Sequence, residues 1–316
     1  MNILITGGAG FIGSSLTDKL LKQKNYIVCI DNLDDFYSPE IKLKNINSFL
    51  NDRNYVFIQG DIREENILNN IFKNYSIDVV IHLAAKAGVL PSLKTPQIYY
   101  DVNVLGTLKL LEAMKLFNVK KLIFASSSSV YGNSKKIPFS EEDNVDFPIS
   151  PYGASKKACE SLCYTYHYLY NFDIFCLRYF SVYGPKQRPE MVISKFARSI
   201  ILNVPIPVYG NGNSRRDYTY IDDIVEGTIS AIKYLKGFEI INLGESKNYD
   251  LNTVIELLEK YIDKKAIINY LPEQPGDIKT TFADISKARK LINYNPSTDL
   301  ETGIKKFVEW LINNSI

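Results

Sequence analysis

A short apolar run, Asn2–Thr6, leads directly into Gly7-Gly-Ala-Gly10-Phe-Ile-Gly13 and on into an amphipathic stretch, Phe11–Lys22. Few folds accommodate that order. Glycines let the backbone turn tightly and approach a pyrophosphate closely, and the free N–H groups opening a helix favour negative charge. A lone glycine pattern means little, but here the strand before and the helix after are both present. Asp31 closes the second strand, 18 residues beyond Gly13. A carboxylate there accepts hydrogen bonds from adenosine ribose hydroxyls and repels a 2′-phosphate, so the expected cofactor is NAD rather than NADP. Asp61, after the third strand, stands either near the adenine or as an N-cap for the helix from Glu64 onward.

The first half alternates β-rich runs with helical patterns. Strands are expected at Asn2–Thr6, Tyr26–Ile30, Tyr55–Gln59, Val79–Leu83 and Lys121–Ser126, then at Ile174–Phe180 after a helix opening near Tyr152. Such alternation predicts an α/β fold, a Rossmann-type doubly wound parallel sheet with helices on both faces. Runs such as Ile3-Leu-Ile and Val79-Val-Ile are apolar throughout, as strands covered on both sides should be. After residue 181 the texture changes, with Gly184-Pro185, Pro189, Pro205, Pro207, Gly210 and Gly212 interrupting shorter elements. Residues 1–181 are therefore expected to form the NAD-binding domain, with a return segment near 215–243, and residues 182–316 mainly a smaller substrate-binding lobe.

Composition excludes several classes. At 316 residues, with 46% hydrophobic and 23% charged side chains, the chain can bury a large core, and a net charge of +2 exerts no bulk pull toward nucleic acid or anionic membrane. No run of about 18 apolar residues and no signal-like opening is present, so a soluble cytoplasmic protein without a membrane partner is expected. The four cysteines lie in apolar segments without CxxC spacing; Cys159 and Cys163 share a helix face, but two ligands make no structural zinc site. They are expected to be packing residues, with no metal bound.

The chemistry-bearing residues lie further along. Tyr152 and Lys156 are four apart and so share one face at the start of a helix, where a cation lowers the pKa of a phenol and suits it to act as a base. Upstream, the fifth strand runs into Ser126-Ser-Ser-Ser129-Val-Tyr-Gly132 at the carboxyl edge of the sheet, where open α/β folds hold their ligands. All four hydroxyls are expected to face the cofactor.

These segments, together with Asp31-Asn32, His82-Leu-Ala-Ala85, Asn103, Arg178-Tyr-Phe, Tyr183-Gly-Pro, Arg216-Asp-Tyr and Gln274-Pro-Gly-Asp277, resemble the extended short-chain dehydrogenases/reductases, and most closely their nucleotide-sugar 4-epimerases. The resemblance spans nearly the whole chain. It implies that Gly7, Gly10, Phe11, Ile12, Gly13, Asp31, Asn32, Asp61, Ile62, Leu83, Ala84, Ala85, Lys86, Asn103 and Tyr179, with Tyr152 and Lys156, contact NAD. It also implies a reversible oxidation at the sugar C4. Tyr152 takes the 4-hydroxyl proton, Ser127 hydrogen-bonds the same oxygen, and Lys156 binds the nicotinamide ribose and tunes Tyr152.

Within that resemblance, 4,6-dehydratases carry an Asp-Glu pair in the serine segment and UDP-glucuronate decarboxylases a Glu before Val-Tyr-Gly. Ser128 and Ser129 stand here instead, which favours epimerisation. Ser181 replaces the Asn of many UDP-glucose enzymes with a small hydroxyl. Arg188 matches an Arg-Pro-Asp-Met segment of UDP-glucuronate 4-epimerases, Gln274 replaces an Arg before Pro-Gly-Asp277, and Thr281 stands where a bulky Tyr often lies beside the sugar. UDP-glucuronate is therefore the expected substrate, with UDP-glucose or UDP-N-acetylglucosamine as the alternative, and a catalytically inactive NAD-binding scaffold is disfavoured by the intact Ser127, Tyr152 and Lys156. Arg188 and Arg216 are candidates for the UDP diphosphate, since guanidinium forks match phosphate oxygens. Tyr209 matches an aromatic position near the uracil or is a packing residue, and Ser129 binds substrate or serves as a local hydroxyl cap. Arg215 and Lys186 are expected to be solvated, and His82 and His167 structural. The resemblance further suggests a homodimer packed through helices Thr95–Leu116 and Tyr152–Tyr170.

Overall fold

The computed structural model describes residues 1–273 and 278–314. Strands β1 (Asn2–Thr6), β2 (Tyr26–Asp31), β3 (Tyr55–Gln59), β4 (Val79–His82), β5 (Lys121–Ser127) and β6 (Asp173–Tyr179) alternate with helices α1 (Phe11–Lys22), α2 (Pro39–Ile46), α3 (Glu65–Asn74), α4 (Val89–Lys94), α5 (Pro96–Tyr99), α6 (Gly106–Leu116) and α7 (Pro151–Tyr170). The remaining elements are β7 (Ser181–Tyr183), α8 (Val192–Ile201), β8 (Ile206–Tyr209), β9 (Arg215–Arg216), β10 (Tyr218–Tyr220), α9 (Ile221–Tyr234), β11 (Phe238–Leu243), β12 (Tyr249–Asp250), α10 (Leu251–Ile262), β13 (Ile268–Leu271), α11 (Ser286–Ile292) and α12 (Leu300–Asn313). Among the described residues, no helix is long and apolar enough to cross a membrane.

Seven strands form one parallel sheet in the order β11-β6-β5-β4-β1-β2-β3. The order reverses between β1 and β4, the place where a doubly wound sheet opens a crevice at its carboxyl edge. Side chains alternate across the sheet. Ile3, Ile5, Cys29, Ile123 and Leu177 face a core shared with α1 and α9, whereas Leu4, Val28, Phe124, Ile174 and Cys176 face one shared with α3, α6 and α7. All four cysteines are buried and free, and no cluster of metal-ligating side chains occurs among the described residues.

Three local features set up the crevice. Gly7 has φ +71, and a Cβ on it would lie 2.7 Å from the Ala84 nitrogen, so only glycine lets the loop after β1 lie against the loop after β4. Helix α7 opens with Pro151 at its first position and Ser150 capping the Gly153 N–H, which fixes where Tyr152 and Lys156 point. The stretch expected to be one helix from Thr95 to Leu116 is instead α5, a π-helical turn over Tyr100–Leu105, and α6. The wide turn is centred on the buried Asn103, in keeping with the concentration of π-bulges at functional sites.

The chain beyond Phe180 forms small two-stranded pairs, β7 with β10, β8 with β13 and β9 with β12, packed by α8, α10 and α12. Segment 221–243 departs from this pattern. Helix α9 packs on α1, β5 and β6, and β11 joins the main sheet as the edge strand beside β6.

Candidate active site

A cavity of about 730 Å³ opens at the carboxyl edge of β1, β2, β4 and β5 and runs on between the sheet and the second lobe. At one end it is walled by Gly7, Gly10, Phe11, Ile12 and Gly13. Helix α1 begins at Gly10 with no side-chain cap, so its first N–H groups carry their partial positive charge toward the cavity, as a diphosphate site requires. Asp31 is buried beside it, with Oδ2 accepting from Ala9 N at 3.1 Å and Oδ1 from Leu33 N at 2.9 Å. Burial raises its pKa against these hydrogen bonds. The carboxylate thus pins the glycine loop as well as facing the space where a ribose fits. An uncapped helix start, a glycine that permits backbone contact and a pinned acid together suit a dinucleotide.

Asn32, Asp61, Ile62, Leu83, Ala84, Ala85, Lys86 and Tyr179 also line the cavity. Asp61 does not cap α3. Its Oδ1 accepts from Arg63 N at 2.8 Å, Arg63 Nη2 pairs with its Oδ2 at 2.7 Å, and Asn32 Nδ2 donates to it at 2.9 Å. Although burial works the other way, these donors hold the Asp61 pKa below the usual range. Asn103 is buried, and its side-chain amide is engaged within the fold. Its Oδ1 accepts from Lys86 N at 2.8 Å, and its Nδ2 donates to Lys86 O at 3.0 Å and to Ser155 Oγ at 2.9 Å. A two-sided amide is used here to clamp the loop after β4 onto α7, because the π-helical turn aims it inward.

Ser126, Ser127, Ser128, Ser129, Tyr152 and Lys156 all line the cavity between these ends. Ser127 Oγ donates to Ser129 Oγ and accepts from Ser129 N, both at 3.1 Å. The Tyr152 ring lies edge-on to Tyr99, with centroids 6.2 Å apart, and Lys156 Nζ donates to the Ala125 carbonyl at 2.7 Å. Ser126 departs from expectation. Strand alternation turns its hydroxyl to the α7 side, where it donates to Glu160 Oε1 at 2.6 Å. Glu160 in turn holds Arg178 through Nε and Nη2, each at 2.8 Å.

The far end carries Ser181, Arg188, Tyr209 and Arg216 in the wall. Arg188 Nε pairs with Glu190 Oε1 at 3.0 Å, and its guanidinium lies 5.7 Å from the Phe36 ring centroid. Lys86 also approaches this ring, its Nζ 5.5 Å from the centroid, and pairs with Asp34 at 2.6 Å.

Thr281 is buried and its hydroxyl accepts from Asp217 N at 3.1 Å, because Asp217 organises that region: its carboxylate takes the Ala283, Glu245 and Ser246 N–H groups and the Thr219 hydroxyl. Burial nonetheless pushes the Asp217 pKa up to about 6. Gln274 and Asp277 lie outside the described residues. Lys186 is not solvated either; Nζ reaches Asn45 O at 3.2 Å over the Phe49 ring, and burial lowers its pKa. Arg215 bridges β9 to β12 through Asn248 and Asp250. His82 sits between Thr6 Oγ1 and Thr107 Oγ1, and His167 Nδ1 contacts the Phe172 carbonyl.

Several wall residues escaped sequence reasoning. Phe36, Lys42, Gln187, Glu190 and Lys195 line the cavity from loops and a helix without a spacing signature. Arg178 did leave a signal, as a lone charge in the buried apolar run Ile174–Phe180; Glu160, flanked on α7 by Lys157 and Ser161, left none.

The family described as GDP-mannose 4,6-dehydratase matches residues 4–307. The UDP-glucuronate 4-epimerase of Thermodesulfobacterium geofontis is 49% identical over 308 residues, 97% of this chain and 95% of that protein. The crystal structure of UDP-glucuronic acid 4-epimerase from Bacillus cereus, in complex with UDP-glucuronic acid and NAD, superposes with a TM-score of 0.94 at 38% identity over 100% of both chains. UDP-glucose 4-epimerase from Thermotoga maritima, with UDP-glucose, gives a TM-score of 0.92 at 33% identity over 99% of each chain.

Proposed function

The chain belongs to the GDP-mannose 4,6-dehydratase family of extended short-chain dehydrogenases/reductases, and from that premise we propose that it is an NAD-dependent 4-epimerase interconverting UDP-glucuronate and UDP-galacturonate. The observation that carries the reading is the serine segment: Ser127, Ser128 and Ser129 stand beside Tyr152 in the cavity, with no carboxylate among them to drive dehydration.

When bound, NAD supplies the redox chemistry, taking a hydride from the sugar C4 and returning it to the other face. The residues that would hold it are the uncapped start of α1 at Gly10–Gly13 for the diphosphate, Asp31 for the adenosine ribose, and Lys156 for the nicotinamide ribose. Tyr152 accepts the proton of the 4-hydroxyl and later gives it back. Ser127 donates to the same oxygen, sharing the charge that develops there. Lys156, anchored on the Ala125 carbonyl one helical turn beyond Tyr152, presents its ammonium donors on the same face of α7.

A C5 carboxylate beside a C4 ketone makes a β-keto acid, which tends to lose carbon dioxide. Neutral hydroxyls suit this problem, since their hydrogen bonds hold the carboxylate in a fixed orientation and keep its charge solvated, whereas a nonpolar wall would favour its loss. Ser128, Ser129 and Ser181 are assigned that role. Arg188 and Arg216 bind the diphosphate, and Tyr209 packs on the nucleobase.

We also propose a cytoplasmic homodimer. Tyr164 and Tyr168 on α7, with Leu105 just before α6 and Leu116 at its end, are large apolar side chains left exposed on the expected pairing helices. Sedimentation of the purified protein tests this, and a monomer at micromolar concentration overturns it.

The decisive test of function is incubation with UDP-glucuronate followed by chromatographic separation of the C4 epimers. Formation of UDP-galacturonate is expected. Turnover of UDP-glucose or UDP-N-acetylglucosamine with none of UDP-glucuronate moves the assignment to those sugars.

A further inference from the structure

Glu160 and Arg178 are each 1% exposed, deep beneath the cavity floor, and touch none of the space in which a substrate fits. Removing two charges from water is costly, and similar buried pairs can be replaced by apolar side chains at no loss of stability. Stability therefore does not account for the pair. Its connections do.

Glu160 lies one helical turn beyond Lys156 and two beyond Tyr152 on α7. Its Oε1 accepts from Ser126, the residue before Ser127, and from Arg178 Nε. Arg178 is the register partner of Ser126 on the neighbouring strand and precedes Tyr179 of the cavity wall. Beyond the pair, the Arg178 guanidinium lies 4.8 Å over the Tyr131 ring, and its Nη1 makes no hydrogen bond among the described residues. Tyr131 ends the 3₁₀ turn Ser128–Tyr131, and its hydroxyl donates to Asn242 Oδ1 on β11 at 2.7 Å. Asn242 Nδ2 in turn binds the Phe139 carbonyl at 2.9 Å and the Asp284 carbonyl at 3.1 Å.

Ser127, Ser128 and Ser129 are thus bracketed. Ser126 on one side is tied to Glu160, Tyr131 on the other to Arg178 and Asn242, and Glu160 itself rides on the helix that carries the proposed base. A bidentate guanidinium–carboxylate pair has a fixed planar geometry that an apolar contact lacks.

We propose that the Glu160–Arg178 pair is a positioning device that sets the distance between the serine segment and Tyr152–Lys156, so that one buried fork aligns the base with the hydrogen-bond donor on the same substrate oxygen. Neither residue is catalytic; both act through Ser127 and Tyr152. A displacement of about 1 Å at a reacting group costs up to about 100-fold in rate.

This inference rests on the epimerase reading, and the experiment separates the two. The double variant Glu160→Met/Arg178→Met keeps volume and removes both charges. It is expected to fold with a Tm at or above the wild type, and to retain NAD at the wild-type stoichiometry, measured by releasing the dinucleotide on denaturation. KM for UDP-glucuronate should stay within about twofold while kcat falls about 10- to 100-fold. A folded double variant with kcat within twofold of wild type overturns the proposal, as does a loss matched by a proportional KM rise and loss of NAD, which would signal general loosening. Should that variant fail to fold, Ser126→Ala decides. It leaves the ion pair intact and should lower kcat about 3- to 10-fold at unchanged KM, and an unchanged kcat overturns the proposal. Failure of the wild type to epimerise any UDP-sugar is a failure of the functional assignment instead.

Discussion

A Cβ at position 153 would stand 2.5 Å from the carbonyl oxygen of Ser129, so the first turn of α7 and the serine segment touch backbone to backbone at Gly153. Gly153→Ala forces one of them to move, since neither side is a flexible side-chain end. The expected result is a stability loss of about 1–3 kcal/mol and a kcat lowered by about 10- to 100-fold. Urea unfolding and initial-rate kinetics read the two effects, and an alanine variant with wild-type kcat would show that the contact is loose.

Tyr152→Phe removes one oxygen atom and leaves the ring on Tyr99. Epimerisation should fall by at least about 100-fold, the range for a lost acid–base group, whereas the dinucleotide released on denaturation should remain at wild-type stoichiometry. Substantial residual turnover would require a different base.

His82 gives the fold a pH dependence of known sign. Burial first, and the Lys156 charge second, push its pKa down to about 3. In the unfolded chain an imidazole protonates below about 6.5. Between those values the unfolded state binds more protons, so the contribution of His82 to stability is complete above about pH 6.5 and is lost progressively as pH falls toward 3. Relative to a His82→Gln variant, the wild type should lose about 2 kcal/mol of unfolding free energy between pH 7.5 and pH 5. A difference that stays constant across that range would be inconsistent with a buried neutral imidazole.

Glu190 competes with any bound phosphate for Arg188, which it already holds at 3.0 Å. Glu190→Gln frees the guanidinium without removing volume. KM for the UDP-sugar should fall about 2- to 10-fold, the effect shrinking at high salt as screening weakens both pairings. A raised KM would mean that Glu190 holds Arg188 in its binding orientation.

Most of the sheet was legible because doubly covered strands are written as unbroken apolar runs and the glycine loop fixes where the first one ends. The helical pattern of Asp222–Leu235 suggests a return segment near 215–243, but gives no sign of the edge strand β11 that pairs with β6. The π-helical turn at Tyr100–Leu105 could not, since residues 95–116 carry an ordinary helical pattern and the widening depends on Asn103 clamping Lys86 and Ser155 across the fold. The serine run was read as four equivalent hydroxyls, although strand alternation alone separates Ser126 from Ser127. The burial of Thr281 and Lys186 is not legible for a common cause: loop residues have no periodicity, and their burial is decided by partners more than sixty residues away, Asp217 for one and Asn45 for the other.

Strand β11 completes the dinucleotide-binding sheet with residues that follow β7–β10 of the second lobe. The two lobes are consequently laced by the chain rather than strung in tandem. A fragment ending at residue 181 would expose the flank of β6 and the underside that α9 covers, and a chimaera that borrows another enzyme's sugar pocket needs three splice points instead of one. Retuning the proposed sugar pocket of such a chain is therefore a matter of point changes and loop remodelling around Ser128, Ser129 and Ser181, not of exchanging a whole module.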